Sequence, residues 1–231
     1  MPLSSAQLPL HGMKYFDLEV RKESFPDNFP ELHLISETLN PVRAGNLINI
    51  INWKQFSYKP LVKFDICYSR SEIYIKYYVR EKYFRALNTG INSRVWEDSC
   101  VEFFISPSDD KIYYNIEFNA IGACYIGAGT GRHDNKALKS EIVSLVRTLP
   151  SVGTVPIEDK EGDIYWELTA AIPFEVFVYH RIRSLEGKTL QANFYKCGDK
   201  LKIPHYLSWH PVVFPVPDFH RPECFGRLKF V

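Results

Sequence analysis

The sequence predicts an all-β protein, a β-sandwich of jelly-roll type with one or two short helices and an N-terminal arm. Three observations carry that prediction. The apolar-rich runs are short and mostly alternate apolar and polar residues with a period of two, the pattern of half-buried strands. Aromatic residues make up 15% of the 231 residues, with Phe and Tyr leading, and such residues fit a pleated, half-buried surface. Turn clusters such as SPSDDK separate the runs, and only two short segments look helical. With no internal repeat or linker, residues 1–30 read as an arm packed on the domain and 31–231 as one sandwich domain.

The elements follow in chain order. KYFDLEV in the arm is one strand. ELHLISETL is a short helix, ended near Pro41 because the residue before a proline avoids helical backbone. LVKFDICYS puts Phe64, Ile66 and Tyr68 on one side; after a turn at Ser69–Ser71, EIYIKYYVRE puts Ile73, Ile75, Tyr77 and Val79 on one side. Two such runs across a short polar turn make a hairpin. VWEDSCVEFFI is the next strand, and IYYNIEFNAIGACYIGAG follows it. Residues 135–149 are the best helix candidate, because Ala137, Leu138, Ile142, Leu145, Val146 and Leu149 fit an amphipathic spacing and Pro150 ends it. IYWELTAAIPF, TLQANFYKCG, HYLSWHPV and FGRLKFV complete the strands.

Bulk properties narrow the function classes. The net charge of +1 gives no electrostatic reason to expect nucleic acid or a membrane surface as partner. No apolar stretch approaches the roughly 20 residues of a membrane helix. The first residues carry no basic segment followed by an apolar run. As written, the chain is therefore expected to be cytoplasmic, or exported if its start is trimmed. The five cysteines include no CxxC pair, which suits buried, reduced thiols. His205, His210, His220 and Cys224 fit no zinc spacing. Met1 and Met13 lie in the arm, so haem ligation through a core methionine is not expected. No cofactor is predicted.

One strand face stands out. If Val101, Phe103 and Ile105 face the core, then Trp96, Asp98, Cys100 and Glu102 share the other face. The next strand offers Asn115, Glu117 and Asn119 in the same sense, and ANFYKCG offers Asn193 and Tyr195. Acids, amides and flat rings together suit a polyhydroxylated ligand: hydroxyls need fixed donors and acceptors, and the C–H face of a sugar needs a ring.

The ordered motifs VKFDICYSRSEIYIKYYVRE, VWEDSCVEFFISP, YYNIEFNAIGACYIGAGTGR, YWELTAAIPFEVF, NFYKCGD, YLSWHPV and FGRLKF resemble the family 9 carbohydrate-binding modules and their stand-alone relatives, over roughly residues 48–231. The resemblance implies a jelly-roll sandwich that holds sugar between two tryptophans. Trp96 matches the first ring and Trp209 the second. Glu102 matches the acid after the first ring, with Asn119, Arg132, Asn193 and Lys196 as further polar partners. One departure is NIINWKQF, where the family has an acidic, glycine-containing turn before a tryptophan. Family members often bind structural calcium, but no run of acids here has a calcium-loop spacing.

Several of these residues also have purely structural readings. Trp166 and Trp53 read as core, and Asp98 as a loop anchor rather than a ligand contact. Glu102 could pair with an arginine, and Asn119 and Asn193 could form turns. The expected function is non-catalytic binding of a mono- or oligosaccharide, linked to carbohydrate catabolism, with micromolar to millimolar affinity. Two alternatives stand beside it. One is a hydrolase of O-glycosyl bonds using Glu102 and Glu117. The other is a protein-interaction module on the same fold.

Overall fold

The computed structural model describes residues 17–39 and 45–231. Strand β1 (Asp17–Lys22) leads to helix α1 (Leu32–Thr38), the short strands β2 (Asn46–Leu47) and β3 (Ile50–Ile51), and the hairpin β4 (Leu61–Tyr68) and β5 (Glu72–Ala86). After a 3-10 turn at Val95–Glu97 come β6 (Cys100–Ser106), β7 (Tyr113–Asn119), β8 (Cys124–Gly129), β9 (Lys136–Ala137), α2 (Ser140–Val143) and β10 (Arg147–Pro150). The long strand β11 (Ile157–Pro173), then β12 (Thr189–Cys197), β13 (Tyr206–Ser208) and β14 (Gly226–Phe230) complete the chain. The structure is thus a mostly-β sandwich.

Its strands form one curled, mixed sheet in the order β10-β11-β5-β4-β1-β14-β12-β6-β7-β8-β9. The sheet folds into two layers at β1, which runs parallel to β14 over Asp17–Val20 and parallel to β4 over Arg21–Lys22. Between the layers, Phe194 of β12 stacks on Phe64 of β4 at 3.9 Å and on Phe103 of β6 at 4.9 Å. The alternation expected for the hairpin holds, with Ile73, Ile75, Tyr77 and Val79 in this core. The outer face of the first layer is covered by α1: Lys76 Nζ donates to the Ser36 carbonyl, and Ile35 packs beside Tyr74. The helix ends at Thr38 with Leu39 as its cap; Pro41, the start of KYFDLEV and both methionines lie outside the described residues.

The expected helix over 135–149 is corrected. Only Ser140–Val143 is α-helical; Lys136–Ala137 pairs with β8, and Arg147–Pro150 pairs with β11. Two sheet edges needed partners for their backbone groups, and strand pairing there outweighed the helical spacing of the apolar residues. Leu138 and Val143 are buried, whereas Leu145 is exposed, so the apolar stripe is not continuous.

Candidate functional site

The outer face of the second layer is not left to solvent. Residues 209–225 fold back over β6, β7 and β12, and with Trp53 they build a second apolar cluster. Trp53 Nε1 donates to the Phe214 carbonyl at 2.7 Å. Phe219 stacks on Tyr195 at 4.1 Å, the Tyr113 hydroxyl bonds His220 Nδ1 at 2.6 Å, and the Arg221 guanidinium lies 3.3 Å over the Phe214 ring. Beside this cover the sheet face stays open as a cavity of about 320 Å³.

Strand register sets the floor of the cavity. Glu102 is directly opposite Tyr195 on β12 and Glu117 on β7, and Glu117 is opposite Tyr125 on β8. Along the same face, Phe104 is opposite Asn115 and Cys197 is opposite Cys100. Asn115 Nδ2 donates to Glu117 Oε1 at 2.9 Å, and Asn135 Nδ2 donates to Asn115 Oδ1 at 2.8 Å. Gly127 permits this second contact, because a Cβ there would collide with Asn115 and Asn135. The walls add Trp96, Arg132, Asp199, Tyr206, Asp218, Phe219 and His220.

Trp96 reaches the cavity from a turn, not from a strand, which corrects the expected strand over VWEDSCVEFFI: pairing begins only at Cys100. Asp98 makes the turn. Its Oδ2 accepts from the Leu87 and Asn88 backbone N–H groups and from Asn88 and Asn119 Nδ2, between 2.9 and 3.1 Å. Fully buried Val95 pins the other side. The Asp199 and Lys200 N–H groups donate to the Trp96 and Glu97 carbonyls, tying the loop after β12 to the indole. Trp96 then meets Tyr125 edge-on at 5.4 Å.

Two carboxylates facing each other in a dry site cannot easily both ionise. Burial, then the charge of Glu117, pushes Glu102 well above the ordinary 4.5. Burial pushes Glu117 up to about 7, opposed by its bond from Asn115. Asp199 is also raised, chiefly by burial. Burial holds His220 down at about 4. At neutral pH the floor is therefore a partly protonated acid pair, able to donate as well as accept hydrogen bonds.

Of the residues expected at the site, Trp96, Glu102 and Arg132 line the cavity together. The other four are not among its lining residues. Asn119 donates to Asn88 O and Asp98 and accepts from the Ala123 N–H. Asn193 ties β12 to His210, donating to its carbonyl and accepting from its N–H. Lys196 points between the layers, 3.0 Å from Glu81. Trp209 is only 8% exposed and sits edge-on against Phe194 in the core. Strand parity explains Trp209. Leu207 is a core residue, so Trp209 shares its face and Tyr206 takes the other. That parity is readable in YLSW and points to Tyr206, not Trp209, as the ring on the cavity side. Asp199, Asp218, Phe219 and His220 carry no local pattern, because tertiary folding of two loops brings them in.

Among the described residues, no helix is long and apolar enough to cross a membrane. Their one grouping of three metal-ligating side chains is Cys100, Glu102 and Cys197. Two thiols are soft donors and do not fit calcium, a hard cation that takes oxygen ligands.

The carbohydrate-binding family 9 profile matches residues 36–230. No curated protein matches the chain. A candidate carbohydrate-binding protein from Bacteroides uniformis ATCC 8492 is 39% identical, with a TM-score of 0.89 over 94% of this chain and all of that one. A family 9 module from Caldicellulosiruptor kristjanssonii, solved in complex with glucose, is 13% identical; its TM-score is 0.56 over 94% of this chain and 96% of that one. A family 9 module from the same organism, in complex with cellotriose, is also 13% identical, with a TM-score of 0.55 over 93% of each chain. At that identity these two structures share the fold. The profile spans most of the chain and the B. uniformis protein is a close relative over nearly all of it, so this chain belongs to carbohydrate-binding family 9.

Proposed function

We propose that the cavity binds a mono- or short oligosaccharide without chemistry. The observation that carries this reading is the pairing of rings and hydroxyl partners in one small cavity: Trp96, Tyr125, Tyr206 and Phe219 beside Glu102, Glu117, Asn135, Asp199 and Arg132. The rings offer flat apolar surface to sugar C–H groups, and the acids and amides fix hydroxyl orientation. A volume of about 320 Å³ is at the small end of ligand pockets, which favours one sugar ring or a chain end over a long polysaccharide. The module's link to carbohydrate catabolism is part of the same proposal, as is a reducing cytoplasmic setting, which the five free thiols suit.

Calorimetric titration of a panel of mono- and oligosaccharides tests it. Trp96→Ala should weaken binding at least tenfold with little loss of stability, because Trp96 is only partly buried. A panel with no saturable binder, or a variant that binds as wild type, would sink the reading.

The facing pair Glu102 and Glu117, one of them near 7, favours a second reading as a glycoside hydrolase. Hydrolysis asks the two acids to flank the scissile bond, whereas these sit side by side on one floor. Release of new reducing ends from the panel, lost in both Glu102→Gln and Glu117→Gln, would replace binding by catalysis.

A further inference from the structure

We propose that Cys100, Cys197 and Glu102 form a site for a thiophilic divalent cation of the zinc class, with its open coordination position toward the cavity. The strands place the three groups. Cys100 and Cys197 are direct register partners on β6 and β12, and Glu102 is two residues from Cys100 on the same face. The Cys197 sulfur lies 3.0 Å from Glu102 Oε1 and the Cys100 sulfur 4.0 Å from the same oxygen. All three donor atoms lie within 4.8 Å of one another. Around a tetrahedral zinc with ligand bonds of about 2.0–2.3 Å, donor atoms stand roughly 3.3–3.8 Å apart, so small side-chain adjustments close the site.

The donor set selects the ion. Two thiolates with one carboxylate suit zinc and its thiophilic neighbours, not calcium or magnesium. Three protein ligands leave a tetrahedral ion one free position. Glu102 and Cys197 both line the cavity, so that position opens to water or to an incoming oxygen ligand. The frame is rigid. Asn119, the register partner of Cys100 on β7, is locked onto Asp98 and Asn88. Behind Cys197, Lys196 Nζ donates to the Cys197 carbonyl at 2.8 Å. Ligands held on paired strands lose little freedom when they bind. The two thiols stand far apart in the sequence, so no spacing pattern announced the site. The inference does not depend on carbohydrate binding.

The full chain, reduced and stripped of metal, is titrated with cobalt(II) and with zinc against a chromophoric chelator. One equivalent of cobalt should give a thiolate-to-metal charge-transfer band, and zinc should displace it. Cys100→Ser and Cys197→Ser should each weaken zinc at least a hundredfold, whereas Cys67→Ser, remote from the site, should not. A second measurement needs no variant: zinc should shield Cys100 and Cys197, and not Cys67, from alkylation followed by mass spectrometry. Absence of the band in reduced protein, binding that survives both serine variants, or alkylation unchanged by zinc would each overturn the site. So would a Cys100–Cys197 disulfide that forms in air at the same rate with and without zinc, because it would make the pair a redox couple rather than ligands.

Discussion

Two buried acids, Glu81 and Glu102, meet opposite side chains of β12 and have opposite fates. Lys196 and Cys197 are neighbours on β12 and point to opposite faces. On the inner face, Glu81 receives the Lys196 ammonium at 3.0 Å, both side chains fully buried, and the Trp166 indole N–H at 2.6 Å. That ammonium also contacts the Cys197 carbonyl and His205 Nε2. Burial, then the Lys196 charge, holds His205 well below its ordinary range, so the imidazole is neutral and able to accept. On the outer face, Glu102 meets Cys197 and Glu117, and among the described residues neither acid has an ion pair. The first cluster has each charge matched, as a structural site requires. The second keeps two acids facing each other with their protons half-retained, an arrangement that costs stability and leaves hydrogen-bonding capacity free for a ligand.

The largest expected effect comes from breaking the matched cluster. Lys196→Met strands the Glu81 carboxylate in the interior and should cost about 3–5 kcal/mol, read as a lower urea midpoint with unchanged slope. Adding Glu81→Leu should restore much of that loss, because a buried pair replaced by apolar side chains is often near neutral. A cost below about 1 kcal/mol for Lys196→Met, the range of surface pairs, would show that the pairing does not hold the layers together, and the contrast between the two faces would fail.

The unmatched pair should respond in the opposite direction. A carboxyl whose folded value is raised contributes stability that is full below its ordinary 4.5 and is lost as pH rises; for Glu117 the loss runs through about 7. Glu117→Gln should therefore be more stable than wild type at pH 8, by about 1–3 kcal/mol, with the advantage gone near pH 4.5. Glu102→Gln should behave likewise, and both should weaken saccharide binding at least tenfold. Thermal midpoints across pH, set beside calorimetric titrations, check the two together. A Gln variant that is less stable at pH 8 would mean that the acids are paired after all.

The same contrast shows what could be read before the fold was known. Alternation in LVKFDICYS, EIYIKYYVRE and CVEFFIS fixed which residues face the core, and with it the floor of the cavity: Glu102, Asn115 and Glu117 follow from Val101, Ile116 and Phe118 by parity alone. Parity also puts Lys196 on the core side, since Phe194 two residues before it is core, although a charged end rarely suits an interior. The acid that neutralises it sits on β5, in the other layer, where no local pattern points. The helical spacing of 135–149 failed for a related reason, because unpaired sheet edges recruited the segment from outside. The walls of the cavity come from loops whose positions are set by long-range contacts such as Trp53 to Phe214.

The smallest effect sharpens the comparison at the rim, where His220 faces Tyr113, the Phe104 ring, Asp218, Arg132 and Arg221. Its folded value is depressed to about 4 from an ordinary 6.5. The stability it contributes is complete above 6.5 and is lost as pH falls through about 4, the reverse of Glu117. Over pH 6.5–4.5 the two therefore offset each other, and wild-type stability should change little. His220→Gln should gain about 1–2 kcal/mol relative to wild type at pH 4.5, whereas Glu117→Gln should become the more acid-sensitive protein. His205 and His210, also held down by burial, should leave some acid loss in the His220 variant. Denaturant midpoints at pH 7 and 4.5 for the three proteins decide the matter. If His220→Gln and wild type lose stability in parallel, the acid response belongs to the matched interior around His205, and the cavity rim plays no part in it.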